Sequence, residues 1–378
     1  MKKDSRPPEY HYWNQLMNCL GGDIERFFDG TLVYPRQLEI HLPSNHKKPC
    51  NFNCYYCQGL LVRQPLNPYE LKALYLIDKL SGKIPFIIYG GAYSEPLMNP
   101  YLTTFLAITK KHNSHFGIHT NGSYLYILEE SQGFLTELCR LAKDRQDYLS
   151  ISLDAGYSAS HRRTKNTEKN WFWEIIDGIK SMVKARGNKD YPTIRICYLL
   201  NKVNSSPEEL ESIVSLARDL GIDSLRFSIP YDLYGLDFKK VRHYKGIYEV
   251  GKTDEYEKKL KLLLSSSISE KPYIFYLGPE IQDVDKMCFK QCIYGYYQIT
   301  LGADSIVYKC SSTATPTFPA NQLGKIPDTL EELEELIIAN QDVWWNPQNC
   351  FKAGARCNRM ALEINSMYAQ LVRPNKSK

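Results

Sequence analysis

Three closely spaced cysteines carry the clearest chemical signal in the chain. They are arranged as Cys50-x3-Cys54-x2-Cys57 in the string CNFNCYYCQG. Cysteine thiolates are the usual ligands of iron–sulfur clusters, and three of them hold three irons of a [4Fe–4S] cube while leaving the fourth iron open. An open iron binds a ligand or a substrate, so the spacing indicates chemistry rather than electron transfer alone.

Two other uses of these thiols are weaker. A structural zinc site needs a fourth ligand nearby, which His46 can supply from four residues before Cys50. Disulfides are disfavoured in a long chain with eleven cysteines and no secretory signal. The spacing therefore favours the cluster, with zinc as the alternative.

Composition bounds the remaining possibilities. The 378 residues are 43% hydrophobic, which suits one large domain or a large domain with a small one. The N-terminal string MKKDSRPPEYHYW lacks the apolar core of a signal peptide, and the chain has no apolar run of about 18 residues that would span a membrane. We expect a cytoplasmic protein. A net charge of +5, with the charges interspersed, favours a solvated surface over a nucleic-acid groove.

Alternating apolar runs and helical stretches predict the elements that position the cysteines. Six such alternations imply parallel βα units, and therefore an α/β fold with a partial (β/α)6 TIM-like barrel. The cysteine loop follows the first strand, at the end of the barrel where sites are built. Strands are predicted at 37–42, 85–89, 115–120, 148–154, 193–200 and 224–229, and helices near 68–80, 99–112, 131–144, 168–186 and 206–220.

The clearest helix is predicted at 206–220. Ser206 is its expected N-cap, Pro207 lies in its first turn, Glu209 is expected to complete a capping box, and Gly221 ends it.

The alternation stops after about residue 267. The remainder contains five cysteines, a predicted hairpin in GADSIVYKC and a charged helix at 328–340. We predict an N-terminal extension at 1–36, the barrel at 37–230, a connecting region at 231–272 and a small C-terminal iron–sulfur domain at 273–378.

Polar turns follow three of the predicted strands in barrel order. Gly90-Gly91 and Glu95 follow the second strand, and Thr120-Asn121-Gly122 follows the third. At the end of the fourth strand, Ser150, Ser152 and Asp154 are two residues apart and are expected to share the inner face. Each of these patterns is also an ordinary turn or strand end, and it is their order behind the cysteine loop that points to one site.

With these features the chain resembles the radical S-adenosylmethionine (radical SAM) superfamily over about 37–230. The resemblance rests on Cys50, Cys54 and Cys57, with Tyr56 before the third cysteine. It implies a [4Fe–4S] cluster whose open iron takes SAM, reductive cleavage to a 5′-deoxyadenosyl radical, and hydrogen abstraction from the substrate.

The resemblance also implies roles for individual residues. Tyr56 is expected beside the adenine, Gly90-Gly91 at the amino group of SAM, and Ser152 with Asp154 at the ribose. Asn121 is a further cofactor-binding candidate, and Arg226, with Arg195 as the rival, is expected at the carboxylate. Many members carry Glu directly after the two glycines. This chain has Ala92 there, so Glu95 is the candidate for the amino group.

A second set of cysteines lies near the C-terminus and resembles the twitch or SPASM extensions of radical SAM enzymes. The resemblance implies an auxiliary [4Fe–4S] cluster, while a zinc site is the alternative. Cys288 is either a replacement ligand or a hydrogen donor to a product radical. The expected ligands are Cys292, Cys310, Cys350 and Cys357.

The expected function is a radical SAM oxidoreductase that modifies a peptide by crosslinking, epimerisation or oxidation. The alternatives are dehydrogenation or rearrangement of a sugar or aminocyclitol, and a non-catalytic Fe–S or zinc scaffold. An electron donor such as flavodoxin or ferredoxin is the expected partner. The basic group His161, Arg162, Arg163 and Lys165 is expected on a loop over the barrel, more as a solvated turn than as an anion site.

Overall fold

Apolar runs rich in β-branched and aromatic residues form a single ten-stranded sheet. The computed structural model of the protein describes residues 7–44, 49–54, 57, 70–91, 94–228, 255, 258–260, 264, 271–277, 289–314, 318–352 and 357–372. The strands are β1 Gln37–His41, β2 Phe86–Gly90, β3 His115–Thr120, β4 Tyr148–Ser152, β5 Thr193–Leu199, β6 Ser224–Ser228, β7 Tyr273–Leu277, β8 Gln298–Leu301, β9 Ile306–Tyr308 and β10 Gln322–Lys325.

The sheet order is β10-β9-β8-β1-β2-β3-β4-β5-β6-β7. Strands β1 to β7 pair in parallel, and β8 pairs in parallel with β1. Strand β9 is antiparallel to both of its neighbours, β8 and β10. The six predicted barrel strands are present in the predicted order, and the α/β partial barrel is confirmed. The predicted hairpin is β8–β9.

Helices cover the outer face of the sheet. They are α1 Tyr12–Cys19, α2 Glu70–Leu80, α3 Leu102–Lys111, α4 Leu125–Gln132, α5 Phe134–Leu141, α6 Ser158–Lys165, α7 Phe172–Arg186, α8 Pro207–Asp219, α9 Leu330–Asn340, α10 Gln348–Lys352 and α11 Arg359–Leu371. None of the helices within the described ranges combines the length and apolar character that a membrane span requires.

Alternate strand residues separate two environments. Outward-facing side chains such as Ile87, Ile151 and Ile196 are fully buried in one core with the helices. The inner face carries polar residues instead, including Ser150 and Arg195. Because side chains alternate along a strand, one set of strands builds both the core and a polar interior.

Two local predictions need correction. Helix 131–144 is two helices, because Gly133 adopts a left-handed φ of 63° between α4 and α5. Ser206 caps α8 by accepting from Glu209 N, but the Glu209 carboxylate does not return to Ser206. It accepts from Gly156 N at 2.8 Å, so the reciprocal half of the capping box is absent.

The N-terminal extension packs against the C-terminal part of the chain. Leu16 of α1 and Phe27 share a second core with Tyr294 and Tyr296, and the rings of Phe27 and Tyr296 meet edge to face at 4.9 Å. Residues 273–378, predicted as a separate domain, contribute β7 to β10 to the same sheet. The predicted connecting region 231–272 lies almost entirely outside the described residues.

A buried ion pair anchors the start of β4. Asp147 accepts from Lys110 Nζ at 2.9 and 3.0 Å and from Phe116 N and Lys143 N, and both side chains of the pair are at most 4% exposed. We expect Asp147→Asn to lower the free energy of unfolding by about 3 kcal/mol, because Lys110 then stays buried without its counter-charge. Urea denaturation measures this.

The exposed Arg145–Asp190 pair, whose side chains are 59% and 55% exposed, provides the matched control. Asp190→Asn should cost less than about 0.5 kcal/mol. Equal losses for the two variants would contradict the assignment of Asp147 as an anchor.

Candidate functional site

The cysteine loop follows β1 and brings its thiols together at the carboxyl edge of the sheet. Cys50, Cys54 and Cys57 are half-buried and form no disulfide among the described residues. Cys50 Sγ accepts from Phe52 N at 3.4 Å, and Cys57 N donates to Cys54 O at 3.0 Å. Burial, and then the neighbouring Glu95, Cys54 and Cys57, raise the pKa of Cys50 well above its usual value. Tyr56 and His46 lie outside the described residues.

Asn121, in the turn after β3, supports this loop directly. Its amide nitrogen donates to Cys50 Sγ at 3.5 Å and to Asn51 Oδ1 at 2.9 Å. Its oxygen accepts from Ser123 N, and Asn51 Nδ2 donates to Ser123 Oγ at 2.9 Å. Asn121 was predicted as a cofactor-binding residue, and the structure places it against the first cysteine.

Glu95 connects the loop after β2 to the same turn. It is 2% exposed, and its carboxylate accepts from Leu97 N at 3.1 Å, Thr120 Oγ1 at 2.5 Å and Asn121 N at 2.8 Å. Burial raises the pKa of Glu95 to about 7, against the opposing effect of these hydrogen bonds. Three donors of the protein itself thus already bind this carboxylate. The contact of Glu95 with the amino group of SAM stays a prediction.

Gly90 and Gly91 are required by close packing around the end of β2. A Cβ on Gly91 would lie 2.5 Å from Ser94 Oγ and 3.1 Å from His41 Cγ. A Cβ on Gly90 would lie 3.0 Å from His119 Cβ. The absence of side chains here lets His41, Ser94 and His119 pack closely against the end of β2, and the contact of Gly90-Gly91 with the amino group of SAM stays a prediction.

The end of β4 differs from the sequence prediction. The strand ends at Ser152, which is half-buried and on the inner face, whereas Asp154 has a left-handed φ of 54° and leaves that face. The Asp154 carboxylate accepts from Leu199 N at 2.6 Å and from Lys165 Nζ at 2.5 Å. Asp154 is therefore already engaged by the protein, while its ribose contact and that of Ser152 stay predictions.

Lys165 lies at the site, although the sequence analysis expected it in a solvated turn. It lies on helix α6, not on a loop, and its side chain is 1% exposed beside Asp154. Burial lowers its pKa, but Asp154, Cys54 and Cys50 outweigh burial and raise it. The one usable signal was the spacing of His161 and Lys165, since an i, i+4 pair shares a helix face and both are buried while Arg162 and Arg163 are exposed.

Arg195 and Arg226 lie on the inner face of β5 and β6. Arg195 Cζ lies 4.0 Å from the centre of the Tyr148 ring, and Arg226 lies beside Tyr10. Both arginines line a cavity that also includes Arg36 and Pro85, which precede β1 and β2. That cavity is at the amino edge of the sheet, opposite the cysteine loop. The contact of either arginine with the SAM carboxylate stays a prediction.

The four C-terminal cysteines come together around one cavity of about 40 Å³. Amide nitrogens of Asn365 and Asn321 donate to two of the sulfurs at 3.5 and 3.2 Å, and Thr313 Oγ1 lies 3.3 Å from a third. Burial raises the pKa of Cys310 to about 12. Four converging thiols with amide donors fit a metal centre, either iron–sulfur or zinc. The lining cysteines are Cys292, Cys310, Cys350 and Cys357. Cys288 lies outside the described residues.

Comparison with known proteins gives a family and a fold. Residues 45–217 match the family model described as Radical SAM superfamily. No curated protein matches the sequence. Two solved structures share the fold at low identity, and at such identities the likeness concerns the fold alone.

The first is Streptococcus suis SuiB bound to precursor peptide SuiA, with a TM-score of 0.60 and 13% identity over 96% of this chain and 77% of that chain. The second is native anSMEcpe with bound AdoMet and Cp18Cys peptide, with a TM-score of 0.53 and 15% identity over 89% of this chain and 84% of that chain.

The raised pKa of Glu95 predicts a pH-dependent stability. Its pKa of about 7 in the folded protein lies above the ordinary value of 4.5, so the folded state binds more protons than the unfolded state between these values. In protein treated with a chelator, the contribution of Glu95 to the free energy of unfolding should therefore fall by about 2 kcal/mol as pH rises from 5 to 8, while His119 and His161, whose pKa values burial lowers, contribute in the opposite direction. Glu95→Gln should lack this fall, as measured by urea denaturation at both pH values.

Glu211→Gln, at an exposed position of α8, is the control and should keep the pH dependence of the original protein. If Glu95→Gln and the original protein respond to pH alike, Glu95 is not the titrating group.

Proposed function

Because this chain is a member of the radical SAM superfamily, we propose that it modifies a peptide with a [4Fe–4S] cluster and SAM. The observation that carries the proposal is the convergence of Cys50, Cys54 and Cys57 at the carboxyl edge of the parallel barrel. When bound, the two groups supply reductive cleavage of SAM to a 5′-deoxyadenosyl radical that abstracts hydrogen from carbon. The match to the radical SAM superfamily favours an enzyme over a non-catalytic Fe–S or zinc scaffold.

The residues around the loop hold it in a shape that suits three thiolates. Phe52 N and Asn121 Nδ2 both donate to Cys50 Sγ, and such hydrogen bonds stabilise negative charge on the sulfur. The ammonium group of Lys165 adds a positive charge near Cys50 and Cys54 in a region that excludes water. These contacts act against burial, which still leaves the pKa of Cys50 well above its usual value.

The four C-terminal cysteines are proposed to hold an auxiliary [4Fe–4S] cluster. Support comes from their convergence on one cavity and from the amide donors to Cys292 and Cys350. Lys309 also lines this cavity, with its ammonium group 4.4 Å from the centre of the Trp345 ring. A nearby cation favours thiolates over thiols, as a metal centre requires.

A peptide is the proposed substrate class. Both structural neighbours contain a bound peptide, although their identities of 13% and 15% bring only the fold to this chain. Peptide modification by crosslinking, epimerisation or oxidation is proposed on that ground.

Metal analysis of anaerobically reconstituted protein tests the two cysteine sets. About eight irons per chain are expected for two [4Fe–4S] clusters. Cys54→Ala should lower this to about four and abolish 5′-deoxyadenosine formation under reduction with SAM, because the first cluster is lost.

Cys350→Ala should also lower the iron content to about four but leave 5′-deoxyadenosine formation without substrate intact. Cys19→Ala, at an exposed thiol outside both sets, is the control and should keep all the iron. About four irons with one zinc in the original protein would show that the C-terminal site is a zinc site. An original protein with an intact first cluster but no 5′-deoxyadenosine would contradict the proposed function.

A further inference from the structure

A large cavity lies at the amino edge of the barrel, away from the cysteine loop. Its volume is about 850 Å³, within the usual range of ligand pockets. Arg36, Pro85 and Thr193, which precede or begin strands, line it at one end, and His119 and Ser150 line it from the barrel interior. Residues 8–12 and α1 of the N-terminal segment form one of its walls.

The charges that line this cavity are unequal. Among the described residues, four arginines face it, whereas only two carboxylates do, those of Glu9 and Glu39. The Glu39 carboxylate accepts from His41 Nε2 at 2.8 Å and Gln298 Nε2 at 2.5 Å, and these hydrogen bonds outweigh burial and lower its pKa, so Glu39 keeps its negative charge. His119 adds no positive charge near neutral pH, because burial lowers its pKa to about 4. The four arginines are Arg36, Arg145, Arg195 and Arg226.

Arg195 has the most deeply buried side chain of these four arginines. It is only 8% exposed, and its guanidinium is stacked on the Tyr148 ring at 4.0 Å. Its only ion pair among the described residues is a long one to Glu9, at 3.7 Å, and Glu9 is 39% exposed. Its Nε is buried without a hydrogen-bond partner in the described part of the chain. A buried cation with only one long ion pair is incompletely compensated, and a ligand anion would compensate its charge further.

Arg226 presents the same feature on the neighbouring strand. In the β5–β6 register, Arg195 pairs with Ser224 and Cys197 with Arg226, so the two arginines are offset by two residues on one face. Arg226 Nε is likewise buried without a hydrogen-bond partner among the described residues. Elsewhere on its side chain, Arg226 hydrogen-bonds the Tyr10 hydroxyl. Two adjacent guanidinium groups with free donors suit a planar carboxylate.

We propose that this cavity binds the carboxylate of an aspartate or glutamate side chain of the peptide, so that the substrate is an acidic peptide. The proposal rests on the proposed peptide-modifying function and adds a specificity site to it. Arg195 and Arg226 receive the carboxylate, and the N-terminal segment encloses it. A neutral residue at the same position would bring no negative charge to the two guanidinium groups, which is the physical basis of the discrimination.

The test compares two short peptides that differ only in charge. Acetyl-Gly-Glu-Gly-amide and acetyl-Gly-Gln-Gly-amide are titrated into the full-length, anaerobically reconstituted protein, and binding is followed by NMR. We expect the Glu peptide to bind at least about tenfold more tightly. Arg195→Gln should reduce the preference to less than about twofold. Arg218→Gln, at an exposed position of α8, should keep it.

Arg195→Lys separates loss of charge from loss of shape. It keeps one positive charge but not the guanidinium fork, so its preference should lie between those of the original protein and Arg195→Gln. Circular dichroism and urea denaturation establish that each variant is folded. Equal binding of the two peptides by the original protein, or an unchanged preference in folded Arg195→Gln, overturns the proposal.

SAM binding and 5′-deoxyadenosine formation distinguish this proposal from the proposed function. If Arg195→Gln loses SAM binding in equilibrium dialysis while keeping the peptide preference, the guanidinium serves SAM and the proposal is overturned. If 5′-deoxyadenosine forms in the original protein but no Glu preference exists, only the acidic-peptide site is wrong. If a Glu preference exists without 5′-deoxyadenosine, only the proposed function is wrong.

Discussion

The buried carboxylate of Glu95 joins the segments that follow three neighbouring strands. A carboxylate can be buried only where hydrogen bonds replace its water, and here Leu97 N, Thr120 Oγ1 and Asn121 N do so. Its own backbone N–H donates to Pro49 O, next to Cys50. The groups that satisfy this acid are thus the groups that place Asn121 against the first cysteine. The cysteine loop, the glycine segment and the turn after β3 depend on this one contact set.

The two edges of the barrel carry different chemical groups. At the carboxyl edge, thiols and the Lys165–Asp154 pair are packed closely and covered by α6. At the amino edge, arginines surround open space beneath the N-terminal segment. Parallel strands make this division possible, because every strand presents its end to the same edge and its start to the other. Under the two proposals above, the radical forms at the carboxyl edge, and the amino edge holds a carboxylate of the same extended peptide.

Sequence patterns predicted the strands well because β1 to β6 are buried on their outer face and read as apolar runs, such as FIIYG at Phe86–Gly90. Cysteine spacing predicted the first set of thiols for a similar local reason. Contacts between distant segments could not be predicted in this way. Helix α6 carries few apolar residues, and its buried face is made of His161, Thr164 and Lys165. Its helical character follows from what those polar side chains contact, such as Asp154 beside Lys165, and an apolar pattern does not indicate such contacts.

The same limit explains the C-terminal part of the chain. Strand β8 pairs in parallel with β1, and Gln298 Nε2 donates to Glu39 on that neighbouring strand. Asn340, at the end of α9, donates to the backbone oxygens of Gln298 and Lys309, and Lys309 precedes Cys310. Buried hydrogen bonds therefore run from the barrel interior to the four-cysteine cavity without a flexible joint between these residues. The first cysteine set follows β1, and Cys310 of the second set follows β9 of the same sheet, so one sheet supports both sets of thiols.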